Sequence, residues 1–445
     1  MSDPTTLDPR DAETLVDLLI RRAELHGDAL AYAFLEDGER ETSRLTFAEL
    51  DRAARAMAVM LSEYCPRGSR AILLYPAGVD FWITYWGCQY AGVAAIPVNL
   101  SQRKKHVERL RTIAVDAGAA AVLTLGEVVE RLGATLPGGG SEIPLVGTDV
   151  STKHLADRWE RPPIDRNTPS YFQYTSGSTG TPKGVNVSHG NLLTNLAYTS
   201  TLWVPNEDSV AVTWLPFFHD LGLIFGLLFP VFNGFRCYQM SPTAFAQKPL
   251  RWLRAISRYR GTHSAAPNFA YDMCVAKTTP EERAELDLSC WRLALNGAEP
   301  VRPGTIARFA EAFASTGFEL SFECPTYGLA EATLIISGTP IGVEPRLTTV
   351  DDAALQELAV RDTVQRHPAS EAEVAQAMSS HGVLGDPGDD IQRGVKRLVG
   401  GHLRSVEGRC IFRGFQRCRG TVAITVVAFL QILQDALVYR AFSPI

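Results

Sequence analysis

Short apolar runs and helical segments take turns along most of this chain, and that alternation leaves few architectures open. Residues 70–75 read as a strand, 79–91 as a helix, 93–98 as a second apolar run, 102–117 as a basic helix and 120–123 as a further strand. Upstream, residues 12–25 and 45–61 carry apolar side chains at helical spacing on either side of a strand-like stretch at 31–34. A second series, from Tyr171 to about Ile336, repeats the alternation. Strands joined through helices line up in parallel and need cover on both faces. The pattern therefore predicts an α/β fold with two doubly wound, mostly parallel sheets. The polar, proline-bearing stretch 149–169 reads as the connection between the two halves.

Composition narrows the function. Of 445 residues, 46% are hydrophobic and 21% charged, with a net charge of −6. Such a chain can build a large core, which argues against disorder and against a multi-span membrane protein. The acidic balance argues against non-specific nucleic-acid binding, which needs a basic face to displace counterions. The first residues show no basic stretch followed by an apolar run, so a cytoplasmic protein is expected. Eight cysteines are scattered without a Cys-x-x-Cys pair, and none of the nine histidines lies at ligand spacing from them. No zinc-type centre is expected.

One stretch carries clear chemistry. Tyr174-Thr-Ser-Gly-Ser-Thr-Gly-Thr-Pro-Lys-Gly184 follows a strand and places three glycines, five Ser/Thr hydroxyls and one lysine within eleven residues. Glycines let backbone approach a ligand closely, hydroxyl and amide groups donate to phosphate oxygens, and Lys183 adds positive charge. Counted from Gly177, Pro182 stands where a Walker A loop has its second glycine, and Gly184 replaces its Ser/Thr. The loop is a phosphate cradle of another kind. His219, among Phe217, Phe218 and Leu221, reads either as a working histidine or as a hydrogen-bonded core residue. The run 221–231 reads either as the wall of an alkyl pocket or as plain core.

This loop and three later motifs, in order, resemble the acyl-adenylate-forming superfamily of acyl-CoA synthetases, peptide-synthetase adenylation domains and luciferases. Leu215-Pro-Phe-Phe-His-Asp-Leu-Gly-Leu223 is similar to the motif whose histidine lies between acyl pocket and phosphates. Leu295-Asn-Gly-Ala-Glu-Pro300 is similar to the segment along the adenine, and Tyr327-Gly-Leu-Ala-Glu-Ala-Thr333 to the motif that stacks Tyr on the base, contacts the α-phosphate through Thr and supplies Glu for magnesium. The resemblance runs from about residue 14 to about residue 358. It implies ATP and Mg2+, with Glu331 as metal ligand and His219, Glu331 and Lys183 as catalytic residues. It also implies nucleotide binding by Thr175, Ser176, Gly177, Ser178, Thr179, Gly180, Thr181, Lys183, Asn296, Gly297, Ala298, Glu299, Tyr327, Gly328 and Thr333.

Within the superfamily, three segments resemble fatty acyl-AMP ligases: His263-Ser-Ala-Ala-Pro-Asn-Phe-Ala-Tyr-Asp-Met-Cys274, Leu73-Leu-Tyr-Pro-Ala-Gly-Val-Asp-Phe81 and Gly87-Cys-Gln-Tyr-Ala-Gly92. That likeness implies a fatty acid substrate held by His219, Ala266, Asn268 and Phe269. It further implies transfer of the acyl group to the phosphopantetheine thiol of an acyl carrier protein. Two neighbouring readings are an acyl-CoA synthetase and a non-catalytic acyl- or nucleotide-binding remnant. The organisation expected is an AMP-binding core at 1–338, an insertion-like segment typical of these ligases at 339–385, and an atypical tail at 386–445.

The tail departs from the family. Between 391 and 420 there are eight basic residues against one acid, Glu407, followed by an apolar run at 421–439 that Gln431, Gln434 and Asp435 make a poor membrane span. The family's barrel subdomain and C-terminal domain are expected to be incomplete or absent. The ribose-binding Tyr-Arg-Thr-Gly-Asp segment, the hinge and the late lysine have no counterpart. A frameshifted or otherwise aberrant reading of a longer gene is the expectation for this tail. By analogy with loss of an oxyanion donor, at about 2.7–4 kcal/mol, missing that lysine implies severely slowed adenylation. The flank that would meet the barrel implies an aggregation liability.

Overall fold

The computed structural model describes residues 8–100, 104–138, 141–175 and 182–346. Its strands are β1 (Leu30–Glu36), β2 (Arg40–Thr46), β3 (Arg70–Leu73), β4 (Ala94–Pro97), β5 (Ala121–Thr124), β6 (Thr135–Gly138), β7 (Ser141–Gly147), β8 (Pro169–Thr175), β9 (Lys183–Ser188), β10 (Val210–Thr213), β11 (Arg236–Met240), β12 (His263–Ala266), β13 (Leu293–Asn296), β14 (Glu323–Gly328) and β15 (Ile335–Gly338). They form an eight-stranded sheet in the order β15-β14-β13-β12-β10-β11-β1-β2 and a seven-stranded sheet in the order β6-β7-β5-β3-β4-β8-β9. The α/β class with two mostly parallel sheets is as expected. Each sheet has a parallel centre and an antiparallel pair at either edge: β1–β2 and β14–β15 in one, β6–β7 and β8–β9 in the other.

The central strands β4, β5, β10, β12 and β13 are buried at every residue, as strands covered on both faces must be. One large apolar cluster joins the sheets, with Leu73, Ala95 and Tyr171 from the seven-stranded one and Tyr32, Val212, Ala265 and Leu295 from the other. Trp82 and Trp86, on the helix Val79–Ala91, fill its middle and are fully buried. A second cluster backs the seven-stranded sheet, where Leu110 and Ile113 of the helix Lys104–Ala117 cover Ile72, Ile96 and Val122. Each such aliphatic side chain is worth about 1.5–3 kcal/mol when fully buried.

Three readings of the sequence need correction. Stretch 149–169 does not link two halves: it joins β7 to β8 of the same sheet, over a 3₁₀ turn at Lys153–Arg158. Nor do the sheets divide the chain at one point. β1 pairs in parallel with β11, far along the chain, while β8 and β9 of the second series close the seven-stranded sheet. Apolar alternation names strands but not their partners. Residues 40–46 form β2, and the helix starts at Phe47, where Thr46 and Glu49 make a reciprocal cap. The β6–β7 hairpin went without a signal in the periodicity. Segment 347–385 and the tail lie outside the described residues, and among those described no helix is long and apolar enough to cross a membrane.

Candidate active site

Strands β10, β13 and β14 run parallel, and the chain turns sharply where each ends. After β10, the amide of His219 bonds back to the Pro216 carbonyl at 3.1 Å. A Cβ on Gly222 would stand 2.2 Å from that same oxygen, so only glycine lets the chain close there. Residues Leu221–Leu228 continue as a buried π-helix. After β13, Ala298 adopts φ +67. After β14, Gly328 passes so close to the Leu334 carbonyl that a Cβ would lie 2.0 Å from it. The return runs through a 3₁₀ turn at Ala330–Ala332 and then Thr333, at φ 74 and ψ −64, with Leu334 N–H bonded to Ala332 O at 3.0 Å. That is a γ-turn of the rare, strained hand. Non-glycine residues held at such angles concentrate at working sites.

These turns enclose a cleft of about 180 Å³. His219, Asp220 and Leu221 form one wall; Leu295, Gly297 and Ala298 a second; Thr326 to Glu331, with Leu334 and Ile335, complete it. The crevice beyond the carboxyl ends of parallel strands is where open α/β sheets bind ligands.

Its charges are arranged unevenly. The His219 side chain is half-exposed, and its Nδ1 lies 2.7 Å from Asp220 Oδ1. Burial opposes charge on the imidazole, but the Asp220 carboxylate outweighs it and the His219 pKa is raised. Glu331 is exposed and makes no hydrogen bond or ion pair among the described residues. Burial, with the Glu331 charge nearby, pushes the Tyr327 phenol up to about 12, so it stays a neutral donor.

The structure brings His219, Gly297, Ala298, Tyr327, Gly328 and Glu331 around one cleft. Other expected residues stand behind it. Asn296 is fully buried at the end of β13, with both amide atoms unpartnered among the described residues. Glu299 accepts from the Phe269 amide at 3.2 Å and so caps the helix Asn268–Ala276. Asn268 spends its amide on backbone, donating to Pro300 O and accepting from Arg302 N, both at 2.9 Å. Ala266 is fully buried; Phe269 keeps 46% exposure and packs edge-on against Trp214. Thr333 is buried and shapes the turn. Lys183 is exposed at the start of β9, opposite Thr175 in the β8–β9 ladder, and does not line the cleft. Residues 176–181, the body of the phosphate loop, lie outside the described residues. In the run 221–231, Leu221 reaches the cleft, while Leu223, Ile224, Phe225 and Leu227 are buried core.

Sequence reasoning assigned no role to Asp220, although it adjoins His219 in the quoted motif. Thr326, Leu334 and Ile335 were also passed over; only the folding back of β15 onto β14 delivers them. Among the described residues no cluster of His, Cys, Asp and Glu suits a metal held by protein alone.

Known proteins share this arrangement of chain. The model of the AMP-binding enzyme family matches residues 19–373. The medium-chain-fatty-acid–acyl-carrier-protein ligase JamA of Moorena producens is 45% identical over 349 residues, covering 77% of this chain and 59% of that one. The long-chain-fatty-acid–AMP ligase FadD32 of Mycolicibacterium smegmatis is 37% identical over 353 residues, covering 77% and 56%. A fatty acyl-adenylate ligase from L. pneumophila, solved with acyl adenylate and pyrophosphate, aligns at a TM-score of 0.73 and 36% identity, over 77% of this chain and 60% of that one. The chain thus spans 56–59% of the length of these two curated relatives. The family match takes in the phosphate loop and every turn that walls the cleft, and the chain belongs to the AMP-binding enzyme family.

Proposed function

We propose that this chain activates a fatty acid with ATP, forming an acyl-adenylate and pyrophosphate, for delivery to an acyl carrier protein. The observation that carries the reading is the meeting of three sequence-distant motifs, through His219, Gly297–Ala298 and Tyr327–Glu331, at one cleft. The relatives' activities on fatty acids and carrier proteins support the substrate class.

In the first half-reaction a carboxylate oxygen attacks the α-phosphorus of ATP. The new O–P bond forms as the bond from α-phosphorus to the bridging oxygen breaks, and pyrophosphate leaves. The demand on the protein is alignment and charge neutralisation. His219, whose pKa the Asp220 carboxylate raises, positions the carboxylate and stabilises charge during transfer without acting as a base. Lys183 and the hydroxyls of 175–181 address the β- and γ-phosphates, Asn296–Glu299 and Tyr327 the adenine, and Thr333 the α-phosphate. Phe269 offers apolar surface to the acyl chain. Glu331 fits magnesium, because hard cations take carboxylate oxygen together with phosphate and water, and this carboxylate is exposed and unpaired among the described residues. When bound, the ion neutralises phosphate charge. In the second half-reaction the carrier's thiol attacks the acyl carbon, the C–S bond replaces the C–O bond to AMP, and the thiol proton is released.

Fatty-acid-dependent exchange of labelled pyrophosphate into ATP tests the first half-reaction. Exchange that requires both fatty acid and magnesium is expected. None at saturating substrate leaves the binding-remnant reading, and acyl-CoA release in a coupled assay redirects the second half-reaction to a synthetase.

A further inference from the structure

Gln173 lies on β8 of the seven-stranded sheet, two residues before Thr175, whereas His219 follows β10 of the other sheet. Its Nε2 donates to the Phe218 carbonyl at 3.0 Å. One side chain thereby ties the strand that leads into the phosphate loop to the residue just before His219. A carbonyl neighbour fixes which end of the amide is nitrogen, since two oxygens would otherwise face each other. Gln173 is 6% exposed, and its Oε1 is buried with no donor among the described residues.

Tyr171 shares that face of the strand, two residues back. Its buried hydroxyl is likewise unpartnered among the described residues, and the Asp220 carboxylate acts on it electrostatically. On this face the direct contact with the 218–220 turn is the Gln173 amide. A position that served only the core would be more stable with an apolar residue, because a buried acceptor without a donor is costly.

We propose that Gln173 is a positioning residue: its amide holds the Phe218 carbonyl across the two sheets, so that the His219–Asp220 pair stands at the cleft in the geometry adenylation uses. This rests on the adenylation reading of the cleft. Small misplacements of an aligning group cost rate rather than binding.

The test uses the full chain. Gln173→Met keeps the side chain's bulk and removes the donor; Gln173→Leu removes it with a shorter side chain and serves if methionine disturbs folding. The first readout is the ring resonance of His219 in 13C-histidine-labelled protein, identified by its loss in His219→Gln. The second is pyrophosphate exchange in wild type, Gln173→Met, His219→Ala and the double variant. The His219 resonance is expected to move while other histidines stay put. Exchange kcat should fall about tenfold, the worth of one hydrogen bond, with the KM for ATP little changed. In the His219→Ala background the same substitution should add nothing. An unmoved resonance, or equal losses in both backgrounds, overturns the proposal. If wild type shows no exchange, the adenylation reading falls separately and the resonance alone decides Gln173.

Discussion

The two sheets share a plan at their margins and differ at their carboxyl ends. Where β3, β5 and β7 of the seven-stranded sheet end, buried hydroxyls are matched: Tyr75 with Thr148 at 2.6 Å, Thr148 onto the Thr124 carbonyl at 3.3 Å, and Thr124 onto Leu74 O at 2.6 Å. Among its described residues, 69–188, positive φ is confined to glycine. The eight-stranded sheet ends in Ala298 and Thr333 at positive φ, Gly328 pressed against a carbonyl, and the unpartnered amide of Asn296. A relaxed scaffold stands beside a strained wall. Local rules are broken at the wall of the candidate cleft and kept at the ends of β3, β5 and β7.

The sharpest way to break that contrast is Gly328→Ala, which drives a methyl to 2.0 Å from Leu334 O. A loss of about 3 kcal/mol is expected. Gly126→Ala, beside the quiet sheet, meets nothing closer than Asp149 Oδ1 at 3.4 Å and should stay within about 1 kcal/mol of wild type. Denaturant midpoints compare the two, and equal losses would erase the distinction.

Ligand contacts come next. Glu331→Ala and Lys183→Ala each remove a charged partner worth about 1.5–3 kcal/mol, so calorimetry should find magnesium-ATP bound roughly 10- to 100-fold more weakly. Unchanged affinity in both would displace the phosphates from where we put them.

Two smaller effects appear as pH dependence. Burial raises the Glu323 carboxyl well above its ordinary 4.5, and both its oxygens are unpartnered among the described residues. The folded chain then keeps a proton that the unfolded chain loses, so stability falls as pH rises from about 4.5 towards the folded value. Glu323→Gln should flatten that slope in a pH series of denaturation curves; an unaltered slope would mean that Glu323 is not its source. For His219, raised above 6.5, the stabilisation from Asp220 is complete below 6.5 and disappears as pH climbs through the folded pKa. Asp220→Asn should lower that pKa and bring the alkaline limb of exchange to lower pH. A nuclear magnetic resonance titration reads the midpoint directly, and a midpoint that stays put would uncouple the pair.

Much of this was legible in the order of residues. Helix 79–91 was read with its bounds intact, because Gly78 and Gly92 punctuate it, and the strands at 70–75 and 120–123 were placed within two residues. The motifs around His219, Gly297 and Tyr327 could be seen because their chemistry is local: glycine where the chain turns, a carboxylate or imidazole beside it. Gln173 could not, since its partner is a backbone carbonyl 45 residues away, in the turn that follows β10 of the other sheet. Asp220 was visible as a letter, but its effect on His219 depends on a rotamer.

By itself, then, the amino-acid sequence determined which segments become most of the strands and helices, that strands joined by helices run parallel, and which motifs place the chain in its family. Those properties follow from periodicity and residue type, which act over a few neighbours. Only the tertiary structure decided that β1 belongs beside β11, that β8 and β9 close the seven-stranded sheet, and that three motifs share one cleft. Strand partnership and site assembly are set by packing between surfaces far apart along the chain, where many pairings satisfy the same local pattern and the buried core selects one.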